Sequence, residues 1–150
     1  MTIWFAPFTV SELNRLCRGC AVEHLGIEIT EAGADFLSAR MPVDARTRQP
    51  YGRLHGGVSL VLAETLASVA SVHTVDPERF FCVGQEINAN HVRAATEGWV
   101  TGTTRPLHLG RSSQVWEVRI VNEAGKLVCI SRVTMAVVPH AAHDKDQPRG

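Results

Sequence analysis

The stretch Leu54 to Val75, LHGGVSLVLAETLASVASVHTV, decides how the rest of the chain must fold. Between Gly56 and Val72 its one formal charge is Glu64, set among Val, Leu, Ala, Ser and Thr, so a helix here is apolar on most of its faces. Such a helix is buried. It is too short, and too often interrupted by Ser, Thr and Glu, to supply the roughly 20 apolar residues of a membrane span, so other parts of the chain must wrap it. A carboxylate two turns into a buried helix is costly unless it is paired, hydrogen-bonded or protonated. Two readings of Glu64 follow: a side chain on a wet rim with no role, or an acid/base or nucleophilic carboxylate in a cleft.

Outward from this helix the pattern changes on both sides. Upstream, Thr9-Val10-Ser11-Glu12 carries a capping signal, and Leu13, Leu16 and Cys17 fall at helical spacing, which predicts a short helix from about Val10 to Arg18 that stops at Gly19. Alternating residues then predict a hairpin, His24 to Thr30 and Ala34 to Val43, around a turn at Glu31-Ala32-Gly33. The polar segment Asp44 to Arg53, with Pro50 and Gly52, reads as a loop that delivers the chain to the helix. Loops in that position carry function more often than packing.

Downstream, Asp76-Pro77-Glu78 turns the chain into four strand-like stretches, about Cys82 to Val92, Glu97 to Leu107, Ser113 to Asn122 and Leu127 to Val138. The third alternates most cleanly, and Glu123-Ala124-Gly125 supplies a hairpin loop to the fourth. Pro139 onward has no apolar period and reads as a disordered tail. The sum is an α+β domain over residues 1–138, an antiparallel sheet of six strands curled round one long helix.

Bulk composition narrows the function. The 150 residues fit one domain, and 15 basic residues cancel 15 acidic ones with no run of like charge, so neither nucleic acid nor an anionic membrane is implied. A small-molecule ligand is the default. MTIWFAPFTV lacks the basic start and long apolar core of a secretory signal, which predicts a cytoplasmic protein with Cys17, Cys20, Cys82 and Cys129 as reduced thiols. Cys17-Arg-Gly-Cys20 has redox spacing but no preceding strand, and no second metal-type pair exists, so buried small hydrophobes are the plain explanation. No metal is expected. Gly-x-Ser-x-Gly, Walker, Rossmann and HExxH patterns are missing.

Chemistry concentrates at the helix. His55-Gly56-Gly57 places glycines where the first helical N–H groups lack internal partners and the dipole is positive, which suits a developing oxyanion, although the glycines could also merely permit a tight turn. Gly56 and Glu64 are eight residues apart, roughly 12 Å along the axis, too far to touch one carbonyl within a single chain. If both act on one ligand, a second subunit must lay its helix alongside, antiparallel, giving a two-fold dimer with two equivalent sites. Ser68, one turn after Glu64, could bond the carboxylate or a nearby water, or equally its own helix carbonyl. Gln49, in the polar loop, offers an amide. His91 and His108 lie near strand ends with Arg93, Arg105 and Arg111, a modest basic cluster for an anionic ligand or a set of solvated charges.

These residues together resemble the hotdog-fold acyl-CoA thioesterases. The specific parts are MPVDARTRQPYGRLHGG, LAETLASVAS, VGQEINANHVR and PLHLGRSSQVWEV, and the likeness spans about Leu13 to Val138. The subgroup is that of the phenylacetate-degradation and glutamate-dependent 4-hydroxybenzoyl-CoA thioesterases. EINANHVR with PLHLG is most similar to its 1,4-dihydroxy-2-naphthoyl-CoA branch, of menaquinone or phylloquinone synthesis, and to the related enterobactin-pathway proofreading thioesterases. The resemblance implies Glu64 as nucleophile or general base, Gly56 as oxyanion donor, Gln49 beside the thioester, His55 as the active-site histidine and Ser68 as an assisting hydroxyl. It implies His91 near the pantetheine end, and Arg93, Arg111 and Ser112 against the coenzyme A nucleotide, with His108 in the same group. It also implies a homodimer, often paired into a tetramer, and no cofactor, since coenzyme A belongs to the substrate. An aryl-loaded carrier protein is the alternative substrate. A hydratase or a non-catalytic acyl-CoA-binding protein is the alternative function.

Overall fold

The computed structural model describes residues 1–141. Its elements run α1 (Val10–Leu16), α2 (Ala21–His24), β1 (Glu28–Ala32), β2 (Leu37–Pro42), α3 (Gly56–Val72), β3 (Phe80–His91), β4 (Trp99–Leu109), β5 (Ser113–Asn122) and β6 (Leu127–Pro139). The six strands form one antiparallel sheet in the order β1-β2-β4-β5-β6-β3. Helix α3 packs against five of them, β2 to β6. The predicted α+β architecture is the observed one.

The seam between α3 and the sheet is the core. Leu62, Ala63, Leu66, Ala67 and Ala70 are fully buried against a sheet face that carries Trp116, Val118, Ile120, Val133 and Met135. Gly102 on β4 permits the close approach, because a Cβ there would lie 2.9 Å from the Leu66 Cδ1. At the far end of the helix a buried polar cluster fixes its rotation. The Gln114 Oε1 accepts from Ser71 (2.8 Å) and from the Trp116 indole (3.0 Å), while its amide donates to the Thr74 hydroxyl (2.7 Å). Every donor is paired, so the burial of Gln114 is tolerated.

A single sheet covers only one side of a helix, and here the structure departs from the all-round burial predicted for α3. Gly57, Glu64 and Val72 are exposed along its outer side within one chain. Strand β3 departs as well: it pairs only with β6, which leaves the other edge of a twelve-residue strand without a partner among the described residues.

Differences elsewhere are local. Helix α1 stops at Leu16 rather than Arg18, with Cys17 as its C-cap, and is held by the predicted capping box between Thr9 and Glu12. The single turn α2 is shorter than any periodicity can reveal, and it delays β1 from His24 to Glu28. Asn14 docks α1 on β1 by both accepting from the Ile29 N–H and donating to the Ile29 carbonyl, each at 2.8 Å. Strand β6 reaches Pro139, and the His140 N–H donates to the Arg79 carbonyl (2.9 Å), so the ordered chain runs past the predicted limit at Val138. Residues 142–150 of the predicted tail lie outside the described residues. All four cysteines are free thiols, and burial pushes those of Cys17, Cys82 and Cys129 up.

Candidate active site

The loop before α3 is a fixed platform. Its Asp44 carboxyl, held below the usual carboxylate range by the Arg46 side chain, accepts from the Arg46 backbone, and the buried Thr47 hydroxyl donates to the Pro42 carbonyl (2.7 Å). The His55 N–H donates to the Thr47 carbonyl (2.9 Å) and the Leu54 N–H to the Ala95 carbonyl (2.8 Å), so the chain enters the helix on a set line. Between them, a tight turn at Gln49 to Gly52 is closed by the Gly52 N–H on the Gln49 carbonyl (3.0 Å), with Gly52 at φ +79°. The Gln49 Oε1 accepts from the Tyr51 N–H (2.5 Å), leaving its NH2 to donate outward.

His55 is the N-cap of α3, a position usually held by Ser, Thr, Asp or Asn. Its Nδ1 accepts from the Gly57 N–H at 2.9 Å, which puts the ring proton of the neutral imidazole on Nε2. The His55 carbonyl takes the Val58 and Ser59 N–H groups. Of the first-turn donors, therefore, only the Gly56 N–H is left with no acceptor among the described residues. It opens into a cavity of about 410 Å³ lined by Gln49, Arg53, Gly56, Ser59, His91 and Arg93, among others. The His91 ring closes on the Gly56 Cα so tightly that a Cβ would lie 2.9 Å from Nε2. His91 thus packs directly on the start of α3.

Glu64 and Ser68 line a different cavity, about 430 Å³, whose opposite wall is Leu16, Cys17, Cys20 and Val22 of the α1–α2 elbow. The Glu64 carboxylate rests over Gly84 of β3, where a Cβ would come within 2.5 Å of its Oε1. It is exposed in the single chain. The Ser68 hydroxyl points to the Met135 sulfur at 4.0 Å, not to Glu64. Val61 lines this cavity, whereas Leu62 is fully buried in the core.

One chain therefore holds the candidate residues in two separate cavities. Gln49, Gly56, His91 and Arg93 share one cavity, Glu64 and Ser68 share another, and His55 caps the helix between its platform and the first. His108, Arg111 and Ser112 belong with neither. They cluster at the β4–β5 turn, where Ser113 is in register through Ala136 with Val83, while His91 lies eight positions further along β3, on the order of 25 Å away. Two residues that the sequence reading missed complete the picture. Arg53 adds a second cation to the Gly56 cavity, and Gly84 makes room for the Glu64 carboxylate. A glycine inside a strand pattern is the signal that could have found Gly84, since it marks a bulge or a close approach, and a register shift does fall between Gly84 and Glu86.

An uncommitted N–H at a helix start, an amide and an imidazole lining the same cavity, and a carboxylate in an apolar cleft are parts for acyl transfer to water. Comparison with known proteins agrees. Residues 51–129 match the thioesterase superfamily, and the chain belongs to that family. It is a thioester hydrolase of the acyl-CoA thioesterase kind. Its relatives include the proofreading thioesterase EntH of Cronobacter turicensis, 51% identical over 91% of this chain and 98% of that one. The 1,4-dihydroxy-2-naphthoyl-CoA hydrolase of Escherichia coli is 49% identical over 91% of this chain and 99% of that one. The crystal structure of thioesterase HI1161 from Haemophilus influenzae superposes with a TM-score of 0.91 at 47% identity, covering 95% of this chain and 99% of that one, which makes the fold the predicted hotdog. No helix among the described residues is long and apolar enough to cross a membrane.

Proposed function

We propose that this chain hydrolyses aromatic acyl-CoA thioesters of the hydroxybenzoyl or 1,4-dihydroxy-2-naphthoyl type, in a site completed by two copies of itself. The observation that carries the reading is the division of the parts: the free Gly56 N–H and the Glu64 carboxylate stand in separate cavities of one chain, and each lacks what the other supplies. The unpaired edge of β3 offers a way to join them. Glu64 lies over Gly84 of that strand, so two chains pairing along β3 about a two-fold axis carry each Glu64 toward the partner's helix start.

In such a site the thioester carbonyl oxygen accepts from the Gly56 N–H, with the Gln49 amide and the His91 ring beside it. The helix dipole and the fixed N–H stabilise the charge that develops on that oxygen. Glu64 of the facing chain either attacks the carbonyl carbon and displaces the thiolate, giving a mixed anhydride that water then hydrolyses to the free acid and the regenerated carboxylate, or takes a proton from the attacking water as the carbon–sulfur bond breaks. In both cases a proton from that water ends on the leaving sulfur, and coenzyme A departs as the thiol. A thioester has little resonance stabilisation, so a carboxylate is an adequate nucleophile. Arg53 and Arg93 at the mouth of the Gly56 cavity suit the phosphates of the pantetheine arm, whether on coenzyme A or on an aryl carrier protein.

The test is Glu64→Gln, assayed by thiol release with benzoyl-CoA, 1,4-dihydroxy-2-naphthoyl-CoA, fatty acyl-CoA and an aryl-loaded carrier protein. The expected result is a fall in kcat of about a thousandfold with KM little changed, and highest wild-type kcat/KM on an aryl thioester. Undiminished turnover by the variant overturns the role of Glu64. A wild-type preference for fatty acyl chains overturns the substrate class.

A further inference from the structure

The cavity that holds Glu64 is not the end of the groove on the outer side of α3. A second cavity, about 570 Å³, continues one turn further along, walled by Val72 of α3 and its C-cap His73, Leu13 of α1 and Phe8 of the N-terminal arm. Ser68 and Val72 are four residues apart and share a helix face, so the two chambers lie in line. Among the described residues, Leu16 is the one that lines both. It falls at helical spacing with Leu13 and Cys17, yet those two are buried while Leu16 is 73% exposed. An exposed leucine alone says little. Its position between two apolar chambers says more.

The second chamber is built. The Phe5 N–H donates to the His73 carbonyl (2.8 Å), the Trp4 indole donates to the Gly33 carbonyl (2.7 Å), and Phe8 meets the His73 ring edge-on at 4.7 Å. These contacts pin residues 3 to 8 across the end of α3. Asn14 holds the other wall through its two hydrogen bonds to Ile29. From Glu64 to Val72 the helix advances roughly 12 Å, a span that an extended alkyl chain covers and a single aromatic ring does not.

We infer that Leu16 is a specificity-determining gate: it closes the acyl chamber beside Glu64, stops an aryl group there, and bars extended alkyl chains from the second chamber. The inference rests on the assignment of Glu64 as the catalytic carboxylate. The experiment compares Leu16→Ala and Leu16→Phe with the parent chain in kcat/KM for benzoyl-CoA and decanoyl-CoA. Opening the gate raises the decanoyl-to-benzoyl ratio about tenfold in Leu16→Ala, and the larger side chain lowers it, within the range that a few methylene contacts supply. A ratio unmoved in both variants overturns the gate, as does one that shifts the same way in both. Because Leu16 is largely exposed, neither variant removes core packing, and Leu16→Val gives an intermediate ratio if either proves unstable. Glu64→Gln assayed in parallel separates the two ideas: full turnover there defeats the site assignment, whereas an unmoved ratio with a dead Glu64→Gln defeats only the gate.

Discussion

The two half-sites carried by α3 are built on different principles. At Gly56 the reactive group is backbone, an N–H fixed by the cap of its own helix, by the loop bonds of Leu54 and His55, and by a histidine packed on the glycine. At Glu64 it is a side chain with rotamers of its own, steered only by a glycine on an edge strand. The first is rigid and polar, the second adjustable and apolar. Transition-state stabilisation wants the former, since a donor that must reorganise forfeits much of its value. Acyl groups of differing shape want the latter.

Substitutions at the two glycines sharpen this contrast. Gly56→Ala keeps the N–H but drives a Cβ to 2.9 Å from the His91 Nε2, so the imidazole must leave the oxyanion position. We expect a loss in kcat of about a hundredfold, reproduced by His91→Ala and little deepened in Gly56→Ala with His91→Ala, read by steady-state kinetics with a melting curve as control. Losses that multiply in the double variant break the assignment of His91. Gly84→Ala sets a Cβ at 2.5 Å from the Glu64 Oε1, and the carboxylate swings aside at little cost because it is the free end of a flexible side chain. A smaller loss in kcat of about tenfold is expected, with the melting temperature almost unchanged.

Away from both half-sites, Gln114→Leu leaves the Ser71 hydroxyl and the Trp116 indole of a buried cluster without their acceptor, while the Thr74 hydroxyl loses the amide but keeps its bond to the Ser71 carbonyl. It should cost about 2–3 kcal/mol in urea unfolding while kcat per folded molecule holds. An equal fall in kcat would mean that the far end of α3 is coupled to the chemistry. The smallest effect lies at α1. Hydrogen bonds from the Thr9 side chain and backbone lower the pKa of Glu12 from its ordinary value. A depressed carboxylate contributes stability that is present above its unfolded pKa and fades as pH falls through the folded one. Glu12→Gln should therefore lower stability slightly at neutral pH, and the two curves should converge as pH falls and the parent loses the same contribution, as followed by thermal unfolding against pH.

Much of this was legible in the chain because periodicity and punctuation are local. The alternation of Gln114 to Val121, the capping signal at Thr9 and the apolar run after Gly57 each name their own element, and each element is where that reading placed it. Helix rise alone said that Gly56 and Glu64 do not meet on one ligand within a single chain, and the chain does hold them in separate cavities. What escaped depends on contacts between distant residues. The exposure of Glu64 follows from a sheet that covers one helix side only, the closeness of His91 to Gly56 from the β3–β6 register, and the place of Gly84 from a bulge. Single-turn α2 escaped for a plainer reason, four residues being too few to show a period. His108, Arg111 and Ser112, which the resemblance groups with His91 and Arg93, form a cluster of their own that lies far from those two within one chain.

The central claim is that each working site takes Gly56 from one chain and Glu64 from another. The most direct measurement mixes Glu64→Gln and Gly56→Ala chains by co-expression and assays the purified mixture against each variant alone. Random pairing makes half the dimers mixed, and each mixed dimer regains one intact site of two, so the account predicts activity near one quarter of the parent protein. Activity no greater than the average of the two variants assayed separately would show that each chain works alone, and would contradict it.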